Sequence, residues 1–201
     1  MKKMIITLVS IFTMISISVL AQDKLNPGDD MPSGKTVLKN ANGNNTTLTE
    51  AYGENGLLVM FSCNTCPFVV RNQPITKKTM ELTAANHVGM VIFNSNEAKR
   101  GDDDSYEAMK KYAKDQGYTV PYLVDENSAF ADLFGASHTP EIYLFNKQHK
   151  LVYKGAMNDN PSDPNGYKKI YIEDAIKATI AGKEVDPKTT KSVGCGIKRK
   201  A

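Results

Sequence analysis

The sequence predicts an α/β sandwich built on a mixed sheet, and three observations carry that reading. The run Leu57-Leu58-Val59-Met60-Phe61 is apolar at every position, as in a strand covered on both faces. Further apolar runs at 88–93, 122–124 and 142–145 follow at spacings that leave room for helices between them. Near the end, Ile172, Ala175, Ile176, Thr179 and Ile180 repeat at the spacing of an amphipathic helix.

Taken in order, the chain opens on Met1-Lys2-Lys3, an apolar stretch from Met4 to Leu20, and Val19-Leu20-Ala21 before Gln22. A basic start, an apolar middle and small residues at the cleavage position make 1–21 a secretory signal peptide, with a retained anchor helix as the alternative. The expected organisation is a signal at 1–21, one domain over 22–186 and a tail over 187–201. The protein is then exported, to the periplasm or another extracytoplasmic space. The full chain carries +3. Without the signal it holds 23 Lys and Arg against 22 Asp and Glu, with a basic cluster only at Lys198-Arg199-Lys200. That balance argues against nucleic acid as a partner.

Val37-Leu38 and Thr46-Thr47-Leu48 flank Asn42-Gly43, the signal of a β-hairpin. The strand at 57–61 follows. Residues 67–86 read as a helix of weak periodicity, kinked at Pro74, which cannot bond back to the Val70 carbonyl. His87 to Phe93 is the second buried strand. Asp102-Asp103-Asp104-Ser105 opens a helix, where acidic side chains complement the dipole. Consecutive aspartates cannot all converge on one ion, so a metal site is the weaker reading. Tyr106, Met109, Tyr112, Ala113 and Gln116 line one stripe of that helix, and Gly117 ends it. A short strand at Tyr122-Leu123-Val124, a short helix at 128–134, a strand at 141–145 and a return strand at 151–153 complete the sheet. β-α-β order implies parallel neighbours, and the late hairpin adds antiparallel ones.

The chemistry concentrates at Ser62-Cys63-Asn64-Thr65-Cys66-Pro67. This C-x-x-C pair follows the central strand and opens a helix. The sequence places Cys63 near the helix N-cap and Cys66 one turn in. The N-terminal end favours a thiolate, so Cys63 is expected to carry the lowered pKa and to attack, with Cys66 resolving. A disulfide between residues three apart closes almost no loop, which makes it a weak staple and favours a redox role. Cys195 is the odd third thiol, flanked by Gly194 and Gly196. It is either a third redox cysteine on a flexible tail or a spare thiol.

These residues resemble the thioredoxin superfamily. The resemblance rests on Phe61-Ser62-Cys63-Asn64-Thr65-Cys66-Pro67, on Thr139-Pro140 before the 142–145 strand, and on the closing hairpin. The N-terminal hairpin and the insertion before the second crossover resemble its redoxin branch. "CNTCPFV", "LVYKGAMNDN" and "VGCGIKRK" resemble, more narrowly, a bacterial peroxiredoxin-like thioredoxin family. The resemblance implies a thioredoxin-like three-layer sandwich with a mixed central sheet, an N-terminal β-hairpin extension and a redoxin-type insertion. It implies Cys63 as attacking thiol and Cys66 as resolving thiol. Pro140 would be a cis-proline facing them, with the Thr139 backbone free to pair with an extended substrate. The local alternative for Pro140 is a trans-proline entering an edge strand.

Departures from those families are also visible. The 57–61 strand holds no acidic residue to shuttle a proton, and Glu54 lies just outside it. Met60 stands where peroxiredoxins place a Thr or Ser before a peroxidatic cysteine. Thr65 stands where the narrower family often has His, which leaves mainly the helix N-terminus to activate the thiolate. Of the histidines, His138 adjoins the Thr-Pro turn, while His87 and His149 lie elsewhere. The function expected is an exported thiol-disulfide oxidoreductase working through Cys63 and Cys66. The alternatives are a peroxiredoxin-like peroxide reductase with Cys195 as a further resolving thiol, and a thiolate site for zinc or copper(I). The oxidoreductase reading needs no cofactor and no metal. Its partners would be protein or small-molecule disulfides and a thiol electron donor.

Overall fold

The computed structural model describes residues 24–163 and 165–200. The expected signal segment at 1–21 lies outside the described residues. Among those residues, no helix is long and apolar enough to cross a membrane.

The centre of the fold is β1 (Gly56–Ser62), buried along its whole length. It is flanked by β2 (Gly89–Asn94) in parallel and β5 (Glu141–Asn146) antiparallel. Beyond these lie β3 (Tyr122–Val124), parallel to β2, and β6 (Leu151–Gly155), antiparallel to β5. The order is β3-β2-β1-β5-β6. Successive crossovers from β1 to β2 to β3 step in the same direction, so right-handed connections put their helices on one face.

That face holds α2 (Gln73–Ala85), α3 (Tyr106–Gln116) and α5 (Tyr171–Ile180). Ile75, Met80, Met109, Ala113, Ile172 and Ile176 pack there on Leu58, Met60, Ile92 and Leu144. The other face of the same strands, Leu57, Val59, Phe61, Val91 and Phe93, is covered by α4 (Ala129–Phe134), the N-terminal segment and Ile197. Phe61 is its centre, with ring centroids 5.5 Å from Phe93, 5.3 Å from Phe134 and 5.6 Å from Tyr143. Phe61→Ala is expected to destabilise the fold by about 3–5 kcal/mol, measured by urea unfolding, through lost burial plus a cavity.

The helix after the motif breaks where the sequence indicates. α1 (Pro67–Arg71) ends at Asn72, and α2 starts one residue later with Pro74 in its first turn. The buried Asn72 side chain staples the break, donating to the Phe68 carbonyl (2.8 Å) and the Pro161 carbonyl (2.9 Å). The weak periodicity of α2 has a simple cause. Its buried face includes Thr76, Thr79 and Thr83, whose hydroxyls are satisfied on carbonyls of their own helix.

Three local expectations change. The N-terminal hairpin narrows to one bridge, between Leu38 and Thr46. The Asn40 side chain holds the turn instead, accepting from Asn42 N–H (2.9 Å) and donating to the Asn44 carbonyl (3.0 Å), and its oxygen also accepts from Tyr122 N–H of β3 (3.0 Å). The second strand starts at Gly89, because His87 sits in a turn at φ 53°. Gly89 is needed there: a Cβ would lie 1.9 Å from the Ala51 carbonyl oxygen. The tail around Cys195 is not loose. Cys195–Gly196 forms β7, paired antiparallel with β4 (His138–Thr139).

Candidate functional site

Cys63 follows the C-terminal end of β1 and Cys66 caps α1. The helix therefore begins three residues later than expected: Cys66, not Cys63, is the N-cap, with Pro67 as the first helical residue. Pro67 suits that place because its missing N–H would have had no intrahelical partner. Both thiols are buried, Cys63 at 1 % and Cys66 at 4 % exposure, and both are reduced.

Thr139-Pro140 faces them, and the peptide bond between these residues is cis. Thr139 touches both sulfurs. Its hydroxyl lies 3.6 Å from Cys63 Sγ, and its carbonyl oxygen accepts from Cys66 Sγ at 3.2 Å. Glu141 holds the approach to this turn, accepting from Ser137 N–H (2.9 Å) and His138 N–H (3.1 Å). His138 is beside the site in sequence, but its Nδ1 is engaged with Ser137 Oγ at 2.8 Å.

The two thiols are coupled, and two arrangements of their shared proton oppose each other. With the proton on Cys63, its hydrogen bond is the largest influence lowering Cys66, and it raises Cys63, which burial raises further. With the proton on Cys66, the S–H donates to the Thr139 carbonyl, while the Thr139 hydroxyl and Cys66 N–H favour charge on Cys63. The contacts pull both ways: the Cys195 thiol, the Thr139 hydroxyl and Val69 N–H favour charge on Cys66, while the Thr139 carbonyl opposes it. A carbonyl oxygen only accepts, so a Cys66 thiolate 3.2 Å away would meet it lone pair to lone pair.

A polar network that the sequence did not announce fixes the loop between the cysteines. Asp104 is fully buried. It accepts from Asn64 N–H (2.8 Å), Asn94 Nδ2 (2.6 Å) and Asn96 Nδ2 (3.1 Å). Asn64 Nδ2 donates to the Asp103 carbonyl (2.8 Å), and Tyr122 O–H donates to Asn64 Oδ1 (2.8 Å). Of the aspartate cluster, then, Asp104 turns inward, and the N-cap of α3 is Ser105, which accepts from Ala108 N–H. Asp104 reaches this loop from just before α3. Its oxygens are engaged by three N–H donors, so it positions the Asn64 backbone. Nothing in the local pattern around Asp104 separates it from its two neighbours.

The expected free edge at Thr139 is occupied. Thr139 pairs with Cys195 in the β4–β7 register, and Cys195 packs against the Cys63–Cys66 cluster. Gly194 makes this possible, since a Cβ there would lie 2.1 Å from the Thr139 carbonyl oxygen. The site is thus a covered seam. The cleft of about 310 Å³ lined by Asn55, Asn146 and Lys183 lies at the other end of β1. Among the described residues, no group of three or more His, Cys, Asp or Glu side chains is arranged to hold a metal ion.

A C-x-x-C pair at the end of the central strand, against a Thr–cis-Pro turn, on this mixed sheet, is the architecture of a thioredoxin-like redox protein. The chain belongs to the Redoxin family, which it matches over residues 26–171. Two solved structures resemble it over most of their length. An uncharacterised conserved protein from Geobacillus kaustophilus is 34 % identical, with TM-score 0.79, over 89 % of this chain and 94 % of that one. A hypothetical protein from Sinorhizobium meliloti 1021 is 32 % identical, with TM-score 0.78, over 89 % and 97 %. A secreted Mycobacterium tuberculosis disulfide oxidoreductase shares the fold at 13 % identity and TM-score 0.51, over 74 % and 96 %. No curated protein matches the chain. The protein is an oxidoreductase of the thioredoxin superfamily, in its redoxin branch.

Proposed function

We propose that the protein is an exported thiol-disulfide oxidoreductase of the peroxiredoxin-like thioredoxin type, cycling Cys63 and Cys66 between dithiol and disulfide. The observation that carries this reading is the contact of both sulfurs with Thr139, one at the hydroxyl and one at the carbonyl. Cys63 is the attacking thiolate. It attacks a sulfur of the incoming disulfide, that bond breaks, and a thiolate leaves. Cys66 then gives up its proton and attacks the Cys63 sulfur. The second substrate thiolate departs, and the Cys63–Cys66 disulfide has gained the oxidation that the substrate lost. A thiol donor restores the dithiol. Residues 1–21 direct export and are removed, so the working protein starts at Gln22. Its substrates are disulfides of small molecules or proteins, and the chemistry draws on no bound organic cofactor or metal.

The test is a redox titration of the 22–201 protein in glutathione buffers, read by mass after thiol alkylation. A reversible two-electron couple mapped to Cys63–Cys66 is expected. No couple at any poise would overturn the reading. Trapping separates the roles of the two thiols. Cys66→Ser/Cys195→Ser is expected to hold a mixed disulfide with glutathione on Cys63 at least tenfold faster than Cys63→Ser/Cys195→Ser holds one on Cys66. The reverse ranking would put the resting charge on Cys66. Hydrogen peroxide consumption that depends on Cys195 would favour the peroxide-reductase alternative.

A further inference from the structure

We propose that Cys195 is the internal exchange partner of this site: the Cys63–Cys66 disulfide isomerises to Cys66–Cys195, which carries the oxidation to the tail. This rests on the oxidoreductase reading and extends it.

The placement of the tail is specific. Cys195 pairs with Thr139, the residue whose backbone an extended substrate would otherwise use, and its side chain packs against the motif cysteines. The tail is anchored on both sides of the thiol. Before it, Lys154 N–H donates to the Lys188 carbonyl (3.0 Å) and Thr190 N–H to the Lys154 carbonyl (3.0 Å). After it, Ile197 is buried, Ile197 N–H donates to the Ser137 carbonyl (3.0 Å), and Lys198 N–H to Asn96 Oδ1 (2.8 Å). Arg199 closes the run with Asp132 Oδ1 at 2.6 Å and the Ala136 carbonyl at 2.8 Å. The chain thus lays a strand of its own, bearing a thiol, where a substrate strand would lie.

The step balances without an outside reagent. Cys195 loses its proton to solvent and attacks Cys66 Sγ. The Cys63–Cys66 bond breaks, Cys63 leaves as thiolate, and the Cys66–Cys195 bond forms, with no net oxidation. Cys63 leaves towards the Thr139 hydroxyl and Cys66 N–H, two donors that stabilise a thiolate there. Burial pushes the Cys195 thiol up to about 11, so the step waits on deprotonation at neutral pH. The gain is access. Cys195 is partly exposed while both motif thiols are buried, so the outer disulfide presents a sulfur that a small monothiol reaches. With the Thr139 edge filled, the external partner of the seated form is a small thiol or disulfide rather than an extended protein strand.

The experiment is disulfide mapping by peptide mass on the 22–201 protein, equilibrated with oxidised and reduced glutathione. Cys63→Ser is expected to form a Cys66–Cys195 disulfide under the poise that oxidises wild type. Gly194→Ala should cut the Cys66–Cys195 fraction at least fivefold, because its methyl group pushes the strand off Thr139. Gly196→Ala should leave that fraction unchanged, since a Cβ there meets nothing within 4 Å. If Cys63→Ser keeps both remaining thiols free while wild type closes Cys63–Cys66, the relay is wrong and the oxidoreductase reading survives. A Gly194→Ala result equal to wild type would also overturn the relay. Wild type that closes no disulfide would sink the reading beneath it.

Discussion

Cys63→Ser is expected to slow exchange with oxidised glutathione by about a hundredfold or more, because the thiolate is the nucleophile and serine offers none. The fold should be nearly untouched. The serine hydroxyl keeps a partner in the Thr139 hydroxyl, so the stability cost should stay near 1 kcal/mol. Cys66→Ser behaves differently. It should still accept a mixed disulfide on Cys63 but release it slowly, because the resolving sulfur is gone. Burst and steady-state phases, followed by mass after rapid acid quench, separate the two variants. Equal behaviour of both would mean that neither cysteine has a distinct role.

Asp104→Ala is expected to be the most destabilising polar substitution at the site, by about 3–5 kcal/mol in urea unfolding. It strands three N–H donors at once, those of Asn64, Asn94 and Asn96, in a region closed to water. Asp104→Asn should cost less in stability, since the amide oxygen keeps one acceptor. It carries a second readout that packing alone would not move. The Asp104 charge raises Cys63, so its removal should ease the thiolate and stabilise the dithiol. The reduction potential of the pair should then rise, by of order 30 mV, the equivalent of ~1.4 kcal/mol. A potential equal to that of wild type would show Asp104 to be a scaffold only.

Most of the fold was legible along the chain, because its signals are local. The fully apolar 57–61 run announces a two-sided strand, and the Ile172–Ile176 stripe announces a helix lying on one face. Pro74 marks the break between α1 and α2 through its own missing N–H. Where local reading slipped, side chains had replaced backbone. The Asn40 side chain holds the hairpin turn through Asn42 N–H and the Asn44 carbonyl, and the α2 threonines hid a buried face by satisfying their hydroxyls on their own helix. The helix start moved from Cys63 to Cys66, because Pro67 can open a helix but nothing in the sequence says how long β1 runs before it.

By itself, then, the sequence determined the α/β class, the central strand and the C-x-x-C pair at its end, all through short-range patterns of burial and backbone chemistry. Only the tertiary structure decided what surrounds the sulfurs. Asp104 stands 40 residues from Asn64, and Cys195 pairs with Thr139 only after β5, β6 and α5 have intervened. Contacts of that separation leave no periodic trace, because they depend on where crossovers and the tail bring the chain back. The glycine at 194 illustrates the limit. In the sequence it flanks a thiol that is either a third redox cysteine or a spare one, and in the fold it is the gap that lets the tail lie against the motif cysteines.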